Sequence, residues 1–493
     1  MSGKQGNAFG SAAIYAGFQG LILAGSLVSF PILTRVLSVS EYGMLALANT
    51  TIIILVALAK CGSATSFLRH HAKALKDGLD AVSSLCATTF WIVVGVALAL
   101  SATMLAGTGM TSIGETLIRD EVLVVVALLL ISGALRDMAY AFYRAKESPL
   151  RANAVWTAFK LGGVVGGLTG MAISDDKVPG FLLGMLTVEL VVGVYAWSRY
   201  AKRGLLRLRN VSLPIAGSMA VYGAPLLIYE SAYLLNDYID RYLVATLLGL
   251  DSVGIYSVGY NLATYVQAIF IAPMWLAVFP IYTRLWESDG REATERFLSN
   301  GLRIYTTVAC GVLLLIVVSG PELVRLLASD KFADSGWIFQ VLTGVLLFHG
   351  SAHFLGAGFH LEKKTGYMAV LTSIAAAINI VLNLILIPRF GLHGAVYSSI
   401  GSFLFLTLSL ALFGRRFVKV RIAWGQLLLC VSSVIVLSLL VSRLEFDNRY
   451  VSFFMHGSVA AVAYMALLYA FDRETRAALH TGLGWAKQRF GRA

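Results

Sequence analysis

The stretch Leu37–Asn49, LSVSEYGMLALAN, recurs in outline at Leu248–Tyr260, LGLDSVGIYSVGY, at an offset of 211 residues. Only the leading leucine and the glycine are identical, but each copy joins one long apolar segment to the next through a short polar turn. A second pair of turns, Lys177–Phe181 and Gly391–Ala395, recurs in the same way before later apolar segments. These repeats predict a duplicated unit of six membrane segments, which is typical of a transporter built from two halves.

The composition is that of a membrane protein, because 58% of the 493 residues are hydrophobic and only 13% are charged. Charged residues make up about 25% of an ordinary soluble domain. Windows long and apolar enough to cross about 30 Å of hydrocarbon recur along the whole chain. We predict fourteen spans, at residues 10–33, 43–60, 82–106, 122–142, 152–173, 179–198, 217–247, 253–280, 303–319, 337–359, 366–387, 394–413, 424–441 and 451–471.

The placement of basic residues predicts the orientation of these spans. Of the 39 lysines and arginines, 27 fall on the side of the N-terminus and 8 on the other side. The positive-inside rule therefore places both termini in the cytoplasm. The net charge of +12 has this topological explanation, which excludes nucleic acid as a partner. With six spans per copy, the turns at Gly43 and Gly254 are both outside, so we expect two parallel halves related by a pseudo-twofold axis along the membrane normal.

The predicted fold class is an all-α polytopic membrane protein with about 14 transmembrane helices. We expect an N-terminal six-helix lobe at 1–205, a C-terminal six-helix lobe at 206–416, two additional helices at 417–471 and a basic cytoplasmic tail at 472–493. The loop at 199–213 alternates basic residues with leucines, and this pattern favours a helix lying on the surface of an anionic leaflet.

The sequence lacks the usual signatures of an enzyme. It has no G-x-x-x-x-G-K-[ST] loop, no H-E-x-x-H and no G-x-S-x-G motif, and no long outer loop is predicted. We therefore expect no catalytic residues, no cofactor and no metal site. His349, His353 and His360 are spaced for a metal site or a proton relay, but without an acidic companion on that face packing or hydrogen bonding is favoured.

Ionisable residues inside spans cost about 2.5 to 3.5 kcal/mol each, so they need partners or water. On the seventh span, Glu230, Asp237 and Arg241 share one helix face at about 100° per residue, and this face is expected to point into the bundle. Two interpretations stay open: an internal salt-bridge set in which Arg241 pairs with Asp237, or a pathway lining that binds a proton, an ion or a charged head group. The candidate ion-coupling and pathway residues are Glu230, Asp237, Asp240, Arg241, Glu189 and Asp137.

A second set of residues offers positive charge to a pyrophosphate. These candidates are Arg35, Lys60, Arg69, Arg136 and Lys160. Arg35 and Lys160 are the first candidates for binding the phosphates. A pyrophosphate requires cations, and a lysine inside the membrane is costly unless it has a function there. The alternative for Arg35, Arg69 and Lys160 is that their side chains extend to the membrane interface. Within the spans four cations face five acids, so a net positive cavity is not predicted.

Three stretches resemble the polysaccharide transporter family, which includes the O-antigen flippases. They are Phe30–Gly43, FPILTRVLSVSEYG; Cys61–Arg69, CGSATSFLR; and Asp240–Gly249, DRYLVATLLG, which leads into Val253–Ser257, VGIYS. The resemblance covers nearly the whole chain. It implies a fold shared with multidrug and toxin extrusion antiporters and the lipid II flippase, with two six-helix lobes facing each other in a V and two extra helices.

The resemblance also implies a function. Members of this family move undecaprenyl-pyrophosphate-linked oligosaccharide units from the inner to the outer leaflet of the bacterial inner membrane by alternating access, for exopolysaccharide, O-antigen or capsule synthesis. The energy is expected from H⁺, Na⁺ or the membrane potential. The implied partners are the polyprenyl-pyrophosphate-linked oligosaccharide, membrane lipids, and a polymerase and chain-length regulator of the same pathway.

Two alternative functions belong to other classes. A cation-coupled drug or metabolite antiporter of the related branch usually has twelve spans, so the segments at 424–441 and 451–471 argue against it. A glycan polymerase would need a large outer loop, which the sequence does not predict.

Overall fold

A computed structural model describes residues 2–107, 119–145, 149–444, 446, 448–472 and 476. Among these residues the secondary structure is helical, with no β-strand. Of the predicted basic tail at 472–493, only Asp472 and Arg476 lie within the described residues.

The helices are numbered here in chain order. They are α1 Ser2–Val36, α2 Val39–Lys60, α3 Ser63–Asp77, α4 Leu79–Gly107, α5 Asp120–Ala145, α6 Pro149–Ile173, α7 Lys177–Lys202, α8 Leu213–Leu248, α9 Leu250–Ser288, α10 Gly290–Ala328, α11 Ser335–Gly350, α12 Ala352–Leu355, α13 Ala357–Leu361, α14 Thr365–Phe390, α15 Leu392–Gly414, α16 Trp424–Val441 and α17 Arg449–Phe471. Short 3₁₀ turns lie at Leu208–Asn210 and Asp330–Phe332.

Twelve helices among the described residues are long and apolar enough to cross a membrane. The long helices α6 and α8 are outside that set, and they carry Lys160 and the ionisable residues from Glu230 to Arg241. Apart from the short α3, α12 and α13, each helix overlaps one predicted span. The prediction of an all-α polytopic membrane protein with about 14 transmembrane helices is confirmed.

The two copies of the repeated stretch meet at their glycines. A Cβ on Gly43 in α2 would lie 2.0 Å from the carbonyl oxygen of Leu250, and a Cβ on Gly254 in α9 would lie 2.2 Å from that of Val39. Val39 and Leu250 have the same offset of 211 residues as the two glycines, so the contact is reciprocal, as at a twofold axis. α2 and α9 both begin at this point, so the corresponding ends of the two copies lie together.

The turns before these two helices are closed by different means. Before α2, the Ser38 hydroxyl accepts from the Glu41 backbone N–H at 3.2 Å, and the Glu41 carboxylate accepts from the Ser38 N–H at 2.7 Å. This capping box satisfies two N–H groups that the helix leaves without a partner. Before α9, Gly249 adopts a φ of 86°, which ends α8 and starts α9 at once.

The chain forms two compact units, and the first comprises Met1–Ser257 and Thr372–Ser398. Its central helix is α5, which packs against α2, α4, α6 and α7. Val126, Leu130 and Met138 of α5 are fully buried. This unit contains every candidate site residue named from the sequence. The lobe boundaries predicted from the repeat stay predictions.

The second unit comprises Val258–Leu371 and Ser399–Ala493. Its central helix is α10, which packs against α11, α16 and α17. An ion pair joins Arg303 of α10 to Asp472 at 2.5 Å, and another joins Asp330, just after α10, to Arg449 at 3.2 Å. The last helix, α17, is thus attached at both of its ends, while Gln426 of α16 donates to Thr307 of α10.

The three histidines of the tenth span pack within the second unit. His349 Nδ1 lies 2.9 Å from Thr407 Oγ1, and the His353 ring stacks on Trp275 with centroids 4.4 Å apart. These contacts are the packing and hydrogen bonding that the sequence favoured. In the part of the chain that the structure describes, no group of three His, Cys, Asp or Glu residues is placed to hold a metal ion.

The segment between α7 and α8 is not a surface helix, so that prediction was wrong. Its backbone instead meets polar groups of α4: the Leu206 carbonyl accepts from Trp91 Nε1 at 2.9 Å, and the Ser212 N–H donates to Thr88 Oγ1 at 2.9 Å. These contacts replace the hydrogen bonds that a helix would have made within the segment.

We predict that Gly43→Ala and Gly254→Ala each lower the free energy of unfolding by about 1–3 kcal/mol, because the new methyl group meets a backbone carbonyl that cannot rotate away. Thermal unfolding of the purified protein in detergent measures the loss. Gly95→Ala is the matched control, since a Cβ there meets no atom within 4 Å. Equal stability of all three variants would show that the contact is loose.

Candidate functional site

The site begins at an interruption between two helices of one span. α2 ends at Lys60, and the next two residues, Cys61 and Gly62, have φ angles of 48° and 67° before α3 starts at Ser63. The left-handed turn suits Gly62, and a Cβ there would also lie 2.5 Å from the Gly223 carbonyl oxygen of α8. Lys60 therefore lies at the C-terminal end of α2, where a positive charge is favourable.

Lys60 joins three helices through two carboxylates. Its Nζ lies 3.2 Å from Asp137 Oδ2 of α5 and 2.9 Å from Glu230 Oε1 of α8. The lysine and Asp137 side chains are mostly buried, whereas Glu230 is 39% exposed. An ammonium group with two carboxylate partners is held in place more firmly than one with a single partner.

A second cation continues this arrangement deeper into the unit. Arg136 Nε donates to Asp137 Oδ1 at 3.2 Å, and its Nη1 donates to Glu189 Oε1 of α7. Ser132 Oγ donates to the other oxygen of Glu189 at 2.5 Å. Glu230, Lys60, Asp137, Arg136 and Glu189 thus form an ion-pair chain of alternating charge across α8, α2, α5 and α7.

Lys160 of α6 lies beside the ion-pair chain. Its Nζ is 5.1 Å from the ring centroid of Trp156, and Arg136 Cζ is 5.8 Å from the same ring. The electrostatic neighbours of this lysine are Arg136, Asp137, Glu189 and Lys60. Within the described ranges no carboxylate lies within 4.0 Å of its ammonium group, and its side chain is exposed.

A small cavity of about 140 Å³ opens next to Lys60 and Asp137. Trp156 and Tyr140 form aromatic walls, and Arg144 lies with its guanidinium 5.5 Å from the Tyr140 ring centroid. The cavity therefore combines cations with flat aromatic faces.

The remaining charges of α8 do not form the predicted salt bridge between Arg241 and the Asp237 carboxylate, and the pathway interpretation stays a prediction. Asp240 is fully buried and accepts from Tyr256 OH at 2.5 Å and from Asn383 Nδ2 at 3.5 Å. Arg241 donates to the backbone carbonyl of Asp237 at 3.1 Å. In the described part of the chain the Asp237 carboxylate has no ion pair within 4.0 Å. Glu230 does form a salt bridge, but with Lys60 rather than within α8.

Two of the predicted cations are not part of the ion-pair chain. Arg35 is exposed near the end of α1 and donates to the Pro31 carbonyl at 3.2 Å. Arg69 of α3 lies with its guanidinium 4.3 Å from the Tyr222 ring centroid. Since the 22 residues of α2 separate Arg35 from Lys60, at about 1.5 Å per residue, one pyrophosphate does not reach both.

Several residues of the site were not found from the sequence. Trp156 precedes Lys160 by four residues, so helical spacing could have placed it on the same face. Ser132, Tyr256 and Asn383 act on carboxylates of other helices or distant positions, and no local pattern indicates such tertiary partners.

The helix order and the site define a multi-pass membrane protein with a transporter fold. Over residues 32–336, more than half of its length, the sequence matches the family described as polysaccharide biosynthesis protein, and the chain belongs to that family.

Two curated relatives are similar over part of their length. The chain is 23% identical over 244 residues to the probable low-salt glycan biosynthesis flippase Agl15 of Haloferax volcanii, covering 48% of this chain and 52% of the relative. It is 26% identical over 285 residues to the succinoglycan biosynthesis transport protein ExoT of Rhizobium meliloti, covering 55% of this chain and 53% of the relative. The chain therefore spans about half the length of the curated relatives it matches.

Solved structures show the same fold over a longer range. The lipid II flippase MurJ in an inward closed conformation superposes with a TM-score of 0.74 at 12% identity, covering 94% of this chain and 99% of that chain. An inward-facing multidrug resistance MATE family transporter superposes with a TM-score of 0.63 at 15% identity, covering 79% of this chain and 97% of that chain.

We predict that Glu189→Gln lowers the free energy of unfolding by about 3–5 kcal/mol, because the buried Arg136 loses a charged partner. Adding Arg136→Met should restore most of the stability, since no buried cation then remains there. Thermal unfolding in detergent measures both variants. Glu292→Gln, in an exposed pair with Arg296, is the control and should change stability by at most about 0.5 kcal/mol. A Glu189→Gln variant as stable as this control would contradict a structural role for the pair.

Proposed function

We propose that the protein is a flippase that moves an undecaprenyl-pyrophosphate-linked oligosaccharide from the inner to the outer leaflet of a bacterial inner membrane. Membership of the polysaccharide biosynthesis family supports this proposal, as do the names of the two curated relatives. The near-complete superposition on a lipid II flippase supports the fold that such a step requires. On this proposal the protein is a transporter and not an enzyme.

The observation that carries the proposal is the exposed Lys160 beside the ion-pair chain. It lies eleven residues, or about 16 Å, from the start of α6, well inside a span. An exposed ammonium group against lipid would be costly at that depth, whereas a water-filled path would solvate it. A pyrophosphate is the anion of the proposed substrate, and it would find Lys160 without a competing carboxylate.

The physical requirements of the substrate fit this arrangement. A sugar and a pyrophosphate cannot cross hydrocarbon without a polar path, while the polyprenyl tail stays in the lipid. Lys60 and Arg136 already have carboxylate partners, so they can exchange one anion for another as a pyrophosphate approaches. We propose Lys60, Arg136 and Lys160 as its binding residues, with Arg35 and Arg69 acting at other points along the route.

We predict that Lys160→Ala slows flipping at least about tenfold, because a charge-assisted contact is worth roughly 1.5–3 kcal/mol. Proteoliposomes that contain a labelled lipid-linked oligosaccharide measure this rate through a membrane-impermeant glycosidase outside. Lys160→Arg should retain most of the rate, since it keeps the charge. Lys73→Ala, on the exposed face of α3, is the control and should match the wild type.

Two results would count against the proposal. A wild-type rate in Lys160→Ala would remove this lysine from the binding site. Failure of the wild-type protein to flip the lipid, together with exchange of organic cations for protons, would favour the drug antiporter whose fold it shares.

We further propose that Asp237 binds the coupling ion, H⁺ or Na⁺. Its carboxylate lacks an ion-pair partner within 4.0 Å among the described residues, whereas Glu230, Asp137 and Glu189 are paired with cations. An acid without a fixed counter-charge can exchange a cation during transport. Asp240 is fully buried and hydrogen-bonded to Tyr256, which suits a structural role.

We predict that Asp237→Asn abolishes the stimulation of flipping by an imposed ion gradient and leaves the basal rate in place. The same proteoliposomes, with pH or sodium gradients applied in turn, identify which ion is used. Asp251→Asn, at the exposed start of α9, should respond to the gradient as the wild type does. Retained stimulation in Asp237→Asn would assign the coupling to another residue.

The proposed setting follows from the same function. Both termini would be cytoplasmic, and a polymerase and a chain-length regulator would act on the lipid-linked units after they reach the outer leaflet.

A further inference from the structure

The hairpin of α6 and α7 is tightly closed at one end and open at the other. Near the connecting turn, a Cβ on Gly170 would lie 2.2 Å from the Gly180 carbonyl oxygen, and one on Gly166 would lie 2.5 Å from that of Gly184. Small residues allow this close approach of two membrane helices. Beyond them the helices separate, and a groove of about 460 Å³ opens between them.

The groove is apolar along most of its length. Ala154 and Ala158 of α6 and Val191 and Val192 of α7 form its walls, and Val155 lies buried at its base. The residues that line it span eight positions of α6 and nine of α7, which corresponds to about 11–12 Å. One leaflet has a hydrocarbon depth of about 15 Å, so the groove has the length of the upper part of a single acyl chain.

Two arginines mark the mouth of the groove. Arg151 lies in the first turn of α6 and Arg199 in the last turn of α7, at the ends where both helices leave the membrane. Arg199 Nη2 donates to Tyr195 OH at 3.2 Å, and its guanidinium lies 5.3 Å from that ring centroid. Throughout the described segments, no carboxylate lies within 4.0 Å of either guanidinium.

We propose that this groove binds one anionic phospholipid of the adjoining leaflet, with an acyl chain between α6 and α7 and the headgroup phosphate on Arg151 and Arg199. Guanidinium groups bind phosphate oxygens through paired hydrogen bonds, and two of them offer more positive charge than one phosphodiester requires. In the predicted topology this leaflet is the cytoplasmic one, which is rich in anionic lipid. None of the groove residues belongs to the ion-pair chain, so the site is independent of the proposed transport step.

The proposed occupant is a membrane lipid rather than a soluble anion, because the two arginines and the apolar walls belong to the same groove. A free phosphate would use the arginines but leave the valine and alanine walls uncovered. A phospholipid covers both.

Native mass spectrometry of the full-length protein tests the proposal, with phosphatidylglycerol and phosphatidylcholine of identical acyl chains as probes. We expect phosphatidylglycerol to bind at least about fivefold more than phosphatidylcholine. Arg151→Ala with Arg199→Ala should remove that preference, and Arg151→Lys with Arg199→Lys should restore part of it. The control is Arg203→Ala with Arg209→Ala, which removes the same charge from exposed positions outside the groove and should keep the preference.

The apolar half of the site has its own variant. Ala158→Phe fills the groove and should reduce binding of both lipids, while thermal unfolding in detergent verifies that the protein is folded. Equal loss in the Arg203 and Arg209 control would reduce the effect to general surface charge and overturn the proposal. Displacement of phosphatidylglycerol by inorganic phosphate, or preferential capture of undecaprenyl phosphate, would equally overturn the assignment to a membrane phospholipid.

Discussion

The cost of charge in a low-dielectric interior governs the arrangement of the first unit. Lys60, Arg136, Asp137, Glu189 and Glu230 come from four helices, and none of them is tolerable there alone. Their ion pairs join α2, α5, α7 and α8. The interruption at Cys61 and Gly62 belongs to the same constraint, because it lets the lysine meet acids on two helices at once. The same ion pairs therefore hold the helices together and compensate the buried charges.

An ion-pair chain with three carboxylates and two cations is also suited to reversible binding. A site with a large positive excess would retain a pyrophosphate, whereas one in which carboxylates compete for the same cations can release it. On the proposed function, the exposed Lys160 would supply a first point of contact, and the paired cations would supply contacts that replace existing ones. This combination agrees with a protein that passes its substrate on without altering it chemically.

The apolar windows were sufficient to predict the helices, because length and hydropathy are local properties. Thirteen of the fourteen predicted spans each overlap one helix, and the span at 337–359 overlaps α11, α12 and α13. Ionisable residues within those windows also indicated the site. The partners of these residues could not be predicted from local sequence patterns. Helical spacing paired Arg241 with the Asp237 carboxylate, but the guanidinium binds the Asp237 backbone carbonyl. Lys60 pairs with Asp137 and Glu230, which lie on other helices. The segment after α7 alternates basic residues with leucines, as an amphipathic helix would, but its backbone forms hydrogen bonds with side chains of α4 instead.

The reciprocal contact of Gly43 and Gly254 has a consequence for which residues either copy can accommodate. Each glycine faces a backbone carbonyl of the other copy, and a carbonyl cannot be shortened by any substitution. No change in one copy can therefore make room for a side chain in the other. Apart from the leading leucine, the two stretches share only this glycine. At both positions the backbone of the other copy, and not a neighbouring side chain, limits the size of the residue.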